Sequence, residues 1–112
     1  MSSKNYSRTQ QNYALIFAAL GDKTRLSLIA KLSNGQKHSI SNLTKGSKLS
    51  RQAISKHLRV LEAAGLVHSA HSGRENFFEL DTRPFKDSRE YLDFVSNQWD
   101  KVLSRLKSFV EE

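Results

Sequence analysis

The chain has 112 residues, a formal net charge of +7 and no cysteine. The lack of cysteine excludes disulfides, thiol catalysis and thiolate metal sites. No apolar run approaches the roughly 18 residues of a membrane span and the first residues lack an apolar signal core, so we expect a cytoplasmic protein.

The length fits one domain, and we expect residues 1–112 to form a single unit that begins with two helices. Tyr13 and Phe17 belong to a set of apolar residues at helical spacing that predicts a helix over about residues 10–20. Asp22 is a good N-cap for a second helix. The residues of that helix expected to face inward are Leu26, Ile29, Ala30 and Leu32.

The next segment, about residues 39–65, has the pattern of a helix-turn-helix. A short third helix over 39–45 leads through a turn containing Gly46 to a fourth helix of about 51–64, which Ser50 caps. The apolar residues expected to face inward from the fourth helix are Ile54, Leu58 and Leu61. Its other side carries Arg51, Gln52, Ser55, Lys56 and Arg59.

These side chains suit recognition of duplex DNA. Arg and Gln can bond guanine and adenine edges with two hydrogen bonds each, Ser can serve either base, and Lys neutralises phosphate. Residues near the start of such a helix reach furthest into the major groove. We therefore expect base contacts from Arg51, Gln52, Ser55 and Lys56, and a phosphate contact from Arg59. The pattern alone is also that of any amphipathic surface helix.

A β-hairpin follows over about residues 66–81. Two runs rich in Val, Phe and Leu flank the loop 72–75, whose tip is Gly73-Arg74. A cation at such a tip can lie along the DNA backbone or in the minor groove. Beside a basic recognition-type helix, the hairpin is interpreted as a wing.

The charge distribution points in the same direction. Residues 1–80 hold twelve Lys/Arg against four Asp/Glu, a net +8, and the nine charged residues between Asp22 and Glu62 are all basic. Binders of single-stranded RNA usually interleave aromatic and basic residues. Apart from His38 and His57, no aromatic residue stands between Lys23 and Arg59, which favours duplex DNA. The alternative is a winged-helix module that binds protein or RNA.

The last predicted element is a long amphipathic helix over about 84–110. Its apolar residues step by three and four positions along the chain: Leu92, Val95, Trp99, Val102, Leu106 and Phe109. They either cover the domain's own core or form a seam between two subunits. We expect a two-fold dimer through helices 10–20 and 84–110. The interface residues of that dimer would be Tyr13, Phe17, Leu92, Val95, Trp99 and Leu106.

The segment 49–67, LSRQAISKHLRVLEAAGLV, resembles the recognition helix and first wing strand of the ArsR-type winged helix-turn-helix repressors. The segments FAALGDKTRL at 17–26 and GRENFFEL at 73–80 strengthen the match. The resemblance implies a mainly α winged helix-turn-helix fold with a small β-hairpin and a prokaryotic, dimeric DNA-binding regulator, which we expect to act as a repressor. The two recognition helices and two wings of a dimer would read a pseudo-palindromic operator. In that family the residues matching Arg51, Gln52, Ser55, Lys56, His57 and Arg74 meet DNA.

The sequence departs from the metal-sensing members of that family. Residues 39–45 contain no cysteine pair and residues 84–112 contain no histidine, so both of the family's metal sites are missing and no metal or other cofactor is expected. No catalytic motif is present, so we expect no enzyme activity. His57 has two interpretations, a contact to DNA or to a partner subunit and a structural histidine. The effector stays open.

Overall fold

A computed structural model gives the fold; it describes the backbone of residues 3–111 and the side chains of residues 11–111. Residues 1, 2 and 112 of the expected domain lie outside the described residues. The elements follow in the order α1 (Ser3–Leu20), α2 (Lys23–Leu32), β1 (His38–Ser39), α3 (Ile40–Thr44), α4 (Arg51–Ala63), β2 (Val67–Ser72), β3 (Glu75–Leu80) and α5 (Arg83–Glu111).

Local signals fix the ends of α4. The Ser50 hydroxyl accepts the Ala53 N–H at 3.2 Å and caps the start of the helix, an interaction worth typically about 1 kcal/mol. At the other end Gly65 has φ of 77°, and the Leu66 N–H donates to the Leu61 carbonyl at 2.9 Å. This is a Schellman motif. It requires a residue in the left-handed conformation, which glycine adopts without steric cost.

The core lies between the first four helices and the base of the hairpin. The side chains buried most completely are Leu28, Leu32, Leu43, Ile54, Leu58, Leu61, Leu66 and Val67. Burial of each stabilises the fold by about 1.5–3 kcal/mol relative to exposure. The predicted inward stripe of α4 is confirmed, because Ile54, Leu58 and Leu61 are all among them.

The inward face predicted for α2 is partly wrong. Leu32 is buried and Ile29 packs against the core, as predicted, but Leu26 is 52% exposed and Ala30 is exposed. Leu28, which was not predicted to face inward, is buried. Apolar residues occupy more than one side of this short helix, so spacing alone does not decide which side packs. Contact with α4 and β3 decides it.

The sheet contains one more strand than predicted. The hairpin pairs Val67 with Leu80 at its base and Ser72 with Glu75 at its tip, and β1 adds to β3 through His38 and Phe78. The order is β1-β3-β2, with antiparallel pairing throughout. Gly73 has φ of 63°, as a type II′ turn requires at its first central position.

Helix α5 contributes little to this core. Phe85 packs against it and Ser88 is buried near the start of the helix. Further along, Leu92 is 51% and Trp99 60% exposed, so the interpretation in which the apolar residues of α5 cover the chain's own core is wrong. The described residues extend 68 Å along their longest axis. Within that described part, no helix combines the length and apolarity needed to cross a membrane.

Candidate nucleic-acid interface

The exposed side of α4 forms one wall of a shallow groove. Ile40 of α3 and Asn76 of β3 contribute to the same groove. The α4 residues that line it are Arg51, Gln52, Ser55, Lys56 and Arg59. All five were singled out from the sequence, and the structure brings them together on one surface.

Burial of the opposite side of α4 fixes the direction of this surface. Leu58 and Leu61 have no exposed area and Ile54 has 1%, so rotation of the helix would expose the centre of the core. Arg51, Gln52, Lys56 and Arg59 are exposed, and Ser55 is half-buried at the base of the groove. Packing therefore holds α4 in one rotational orientation about its axis. In that orientation the helix presents cationic and hydrogen-bonding groups to the groove.

Arg74 lies apart from the groove, at the exposed tip of the hairpin. Two residues further along the chain, Asn76 of β3 lines the groove. The part of β3 next to the hairpin tip thus borders the groove, and the tip itself carries one cation. Neither Ile40 nor Asn76 was singled out from the sequence, because only the pairing of β1 with β3 brings α3 next to that strand.

His57 is turned away from the groove. Its side chain is 23% exposed and its Nδ1 lies 3.7 Å from the Asp22 carboxylate and 3.1 Å from the Arg25 guanidinium. Because arginine only donates, Nδ1 accepts this bond and the imidazole proton is placed on Nε2. This geometry favours the structural interpretation of His57 over a direct DNA contact.

Arg25 was given no role from the sequence, yet it joins three helices. Its Nε–H donates to the Ala19 carbonyl at 2.5 Å, at the end of α1, while its Nη1 reaches His57 on α4. A cation at a helix C-terminus also interacts favourably with the helix dipole. The Arg25 N–H donates to Asp22, which lowers the pKa of that carboxyl. Arg25 and His57 therefore hold α4 against α1 and α2.

The base of the hairpin is tied to α5 through Asp81, whose side chain is 8% exposed. Its carboxylate accepts from Arg83 Nη2 at 2.6 Å, and His68 Nε2 lies 2.6 Å away. The hydrogen bonds from Arg83, followed by the bond to His68, hold the pKa of Asp81 far below its usual range. One carboxylate thus links β2, the end of β3 and the first residue of α5.

This link predicts an acid-dependent component of stability. The pKa of Asp81 is lowered in the folded chain, so around the ordinary carboxyl pKa of about 3.9 the unfolded chain binds a proton that the folded chain does not. The stabilisation is present above about pH 5 and is lost as the pH falls through 4 and below. Asp81→Asn should lack this component, so its free energy of unfolding should fall less steeply with acid.

The measurement is urea unfolding at a series of pH values, with Asp100→Asn as the control. Asp100 is exposed on α5. Equal acid slopes for the wild type and Asp81→Asn would show that Asp81 adds no pH-dependent stability.

The histidines and carboxylates do not gather into a metal site in the described part of the chain, where no group of three or more lies within reach of one ion. The closest approach of a histidine to a carboxylate there is that of His68 to Asp81.

Comparison with known proteins gives concordant matches. The family described as "Bacterial regulatory protein, arsR family" matches residues 22–69. The uncharacterized HTH-type transcriptional regulator YuzN of Bacillus subtilis is 38% identical over 82 residues, covering 68% of this chain and 89% of the relative. The HTH-type transcriptional regulator Rv2034 of Mycobacterium tuberculosis is 29% identical over 93 residues, 83% of each chain. The solved ArsR-like transcriptional regulator from Rhodococcus sp. RHA1 superposes with a TM-score of 0.80 at 35% identity, covering 90% of this chain and 94% of that one.

Proposed function

Because the chain belongs to the ArsR family of bacterial regulatory proteins, we propose that it is a homodimeric repressor that binds a pseudo-palindromic operator in duplex DNA. The protein is a DNA-binding regulator of transcription and not an enzyme. A regulator of this kind works where the chromosome lies, which in a prokaryotic cell is the cytoplasm. Repression is the simpler mode of action, since occupancy of a promoter by itself excludes other proteins from the same DNA.

The observation that carries the proposal is the groove along α4. Its lining combines the side chains that discriminate base edges with those that neutralise phosphate. Arg51 and Gln52 lie in the first turn of α4, the end of a recognition helix that enters the major groove most deeply. In this arrangement Arg51, Gln52, Ser55 and Lys56 contact bases.

The remaining contacts position the protein on the duplex. Arg59, two turns along α4, meets the phosphate backbone, and Arg74 at the hairpin tip meets the backbone or the adjacent minor groove. His57 supports this surface from behind: its bond to Arg25 keeps α4 oriented, so its effect on DNA binding is indirect.

The dimer rests on the apolar surface that a single chain leaves uncovered. Along α5, Val95 is 45%, Trp99 60% and Leu106 55% exposed, and Leu92 extends the same stripe. A second copy that packs α5 against α5 would bury this stripe and relate the two α4 helices by a two-fold axis. On α1, Tyr13 stacks on Tyr91 at 4.6 Å between ring centroids and Phe17 lies beside the same ring. Both side chains are half-buried, and their exposed parts would join the interface.

Selection from a pool of random-sequence DNA duplexes tests the proposal. The expected product is a pseudo-palindrome whose half-sites are centred about 10 base pairs, or a multiple of that, apart. The selected duplex should bind more tightly than random DNA and than an RNA duplex of the same sequence at every salt concentration. Failure to enrich any sequence, or equal affinity for the RNA duplex, would favour a winged-helix module for RNA or protein instead.

A further inference from the structure

A second shallow pocket, outside the α4 groove, lies between α2 and the turn that joins α3 to α4. Its cationic residues are Lys23 and Lys31 of α2 and Lys48 of the turn, and we call it the lysine pocket. The hydroxyls of Thr24, Ser27 and Ser47 also line it. All three lysines are exposed.

The charge of the lysine pocket is not compensated by its own lining, which contains no acidic residue among the described residues. The nearest acid in the sequence, Asp22, has its carboxylate bonded to the Arg25 N–H at 3.0 Å and within 3.7 Å of His57. The pocket therefore keeps the positive potential of its lysines, which attracts anions.

Two of its polar groups are held in place and still able to donate. Lys31 Nζ donates one hydrogen bond to the Leu43 carbonyl at 3.3 Å, which leaves two of its three N–H donors. The Ser47 oxygen accepts the Leu49 N–H at 3.1 Å, so its own O–H can donate. Ammonium and hydroxyl donors that converge on one depression suit the oxygens of a phosphate group.

The position of the pocket identifies the source of that phosphate. Its turn, residues 46–49, leads directly into Ser50 and the first turn of α4, the end that enters the major groove. A DNA backbone that passes this end of α4 would lie next to the turn, and therefore next to the pocket that the turn and α2 form. We propose that the lysine pocket binds a backbone phosphate of the DNA that flanks the base pairs read by α4. This proposal rests on the proposed function.

The test compares salt dependence for Lys23→Gln/Lys31→Gln and a control of equal charge reduction, Lys86→Gln/Lys101→Gln. Both control lysines are exposed on α5, and Lys48 is left intact so that the turn before α4 is unchanged. Each protein is titrated with two duplexes: the selected site alone, and the same site extended by about one helical turn, about 10 base pairs, on each side.

On the extended duplex, the slope of log affinity against log salt should fall by about one unit for each phosphate that the variant no longer neutralises. It should therefore fall by at least about one unit more in the α2 variant than in the control. On the short duplex the two variants should show the same slope of log affinity against log salt. Equal slopes for the two variants on both duplexes would overturn the flanking contact, and so would an equal decrease for the α2 variant on the short and the extended duplex.

Two further outcomes locate a failure. A wild-type protein that binds neither duplex would contradict the proposed function itself, whereas a normal wild-type slope with no α2 effect contradicts only the lysine pocket. Calorimetric titration with inorganic pyrophosphate tests the other source of the same chemistry. Pyrophosphate binding that is abolished in the α2 variant, combined with an unchanged DNA slope, would assign the pocket to a free phosphate ligand.

Discussion

Replacing Trp99 with alanine is expected to weaken the dimer by about 3–5 kcal/mol, the usual cost of removing a large buried aromatic side chain. Trp99 is 60% exposed in the single chain and stands near the middle of the apolar stripe of α5. The dissociation constant of the dimer should therefore rise by about two to three and a half powers of ten. The fold of each subunit should survive, because Trp99 lies outside the buried core.

Phe94→Ala is the matched control. Phe94 is an aromatic residue on the same helix and is 57% exposed. Five positions from Trp99, it points about 140° away around the helix axis. Its replacement should change the stability of the dimer by no more than about 0.5 kcal/mol, as is usual for a surface site.

Sedimentation over a range of protein concentrations measures both variants, and far-UV circular dichroism confirms that the helices remain. The proposed dimer requires the wild type to sediment as a dimer at micromolar concentration, and Trp99→Ala to dissociate at a concentration at least about 100-fold higher than the wild type does. A wild type that stays monomeric there and still binds DNA tightly would contradict the dimer. So would equal weakening by the two alanine variants.

The sequence predicts the helix-turn-helix well because its signals are local. Ser50 and Gly65 mark the two ends of α4, and each acts through atoms within a few residues. The sharp division of α4 into a buried stripe and a polar side needs only helical periodicity. The fold class and the α4 lining of the groove follow from these signals.

The features that depend on distant contacts could not be predicted in this way. The two residues of β1 are too few to show a strand period, and they are a strand only because β3 pairs with them. In α2, packing against α4 and β3 selects Leu28 over Leu26. Helix α1 begins at Ser3 and not near residue 10. Residues 3–9 carry no apolar pattern in the sequence that would predict this earlier start.

The candidate site shows the same division. Arg51, Gln52, Ser55, Lys56 and Arg59 are found from one helix. The place of His57 depends on Arg25, a residue 32 positions away in the chain. Helical spacing places His57 on the side of α4 away from the groove, but the partners that its ring meets there depend on the packing of α2. The lysine pocket likewise joins residues of α2 to a turn beyond α3.

The second large effect concerns the division of labour between base reading and backbone contact. Gln52 is exposed in the first turn of α4 and lines the groove, and an uncharged side chain gains little from phosphate attraction. Gln52→Ala should therefore cost about 1–3 kcal/mol on the selected site and much less on random DNA. Arg74→Ala should weaken binding to both DNAs alike and lower the salt slope by about one unit for each phosphate that is no longer neutralised.

Arg105→Ala, which removes the same charge from an exposed position on α5, is the control for Arg74→Ala. It should change the salt slope by less than Arg74→Ala does, because α5 is not expected to meet the backbone. A difference between the two arginine variants thus separates a contact at the wing tip from a general reduction of positive charge.

Fluorescence titration of the wild type and Gln52→Ala with the selected and the random duplex, at several salt concentrations, tests most directly whether α4 reads DNA sequence. A decrease in binding free energy of about 1–3 kcal/mol on the selected duplex, with little change on the random one, is the expected result. If Gln52→Ala weakened binding to both duplexes equally, as Arg74→Ala should, the groove would bind DNA without discriminating its sequence. If Gln52→Ala changed neither, α4 would not be the reading helix.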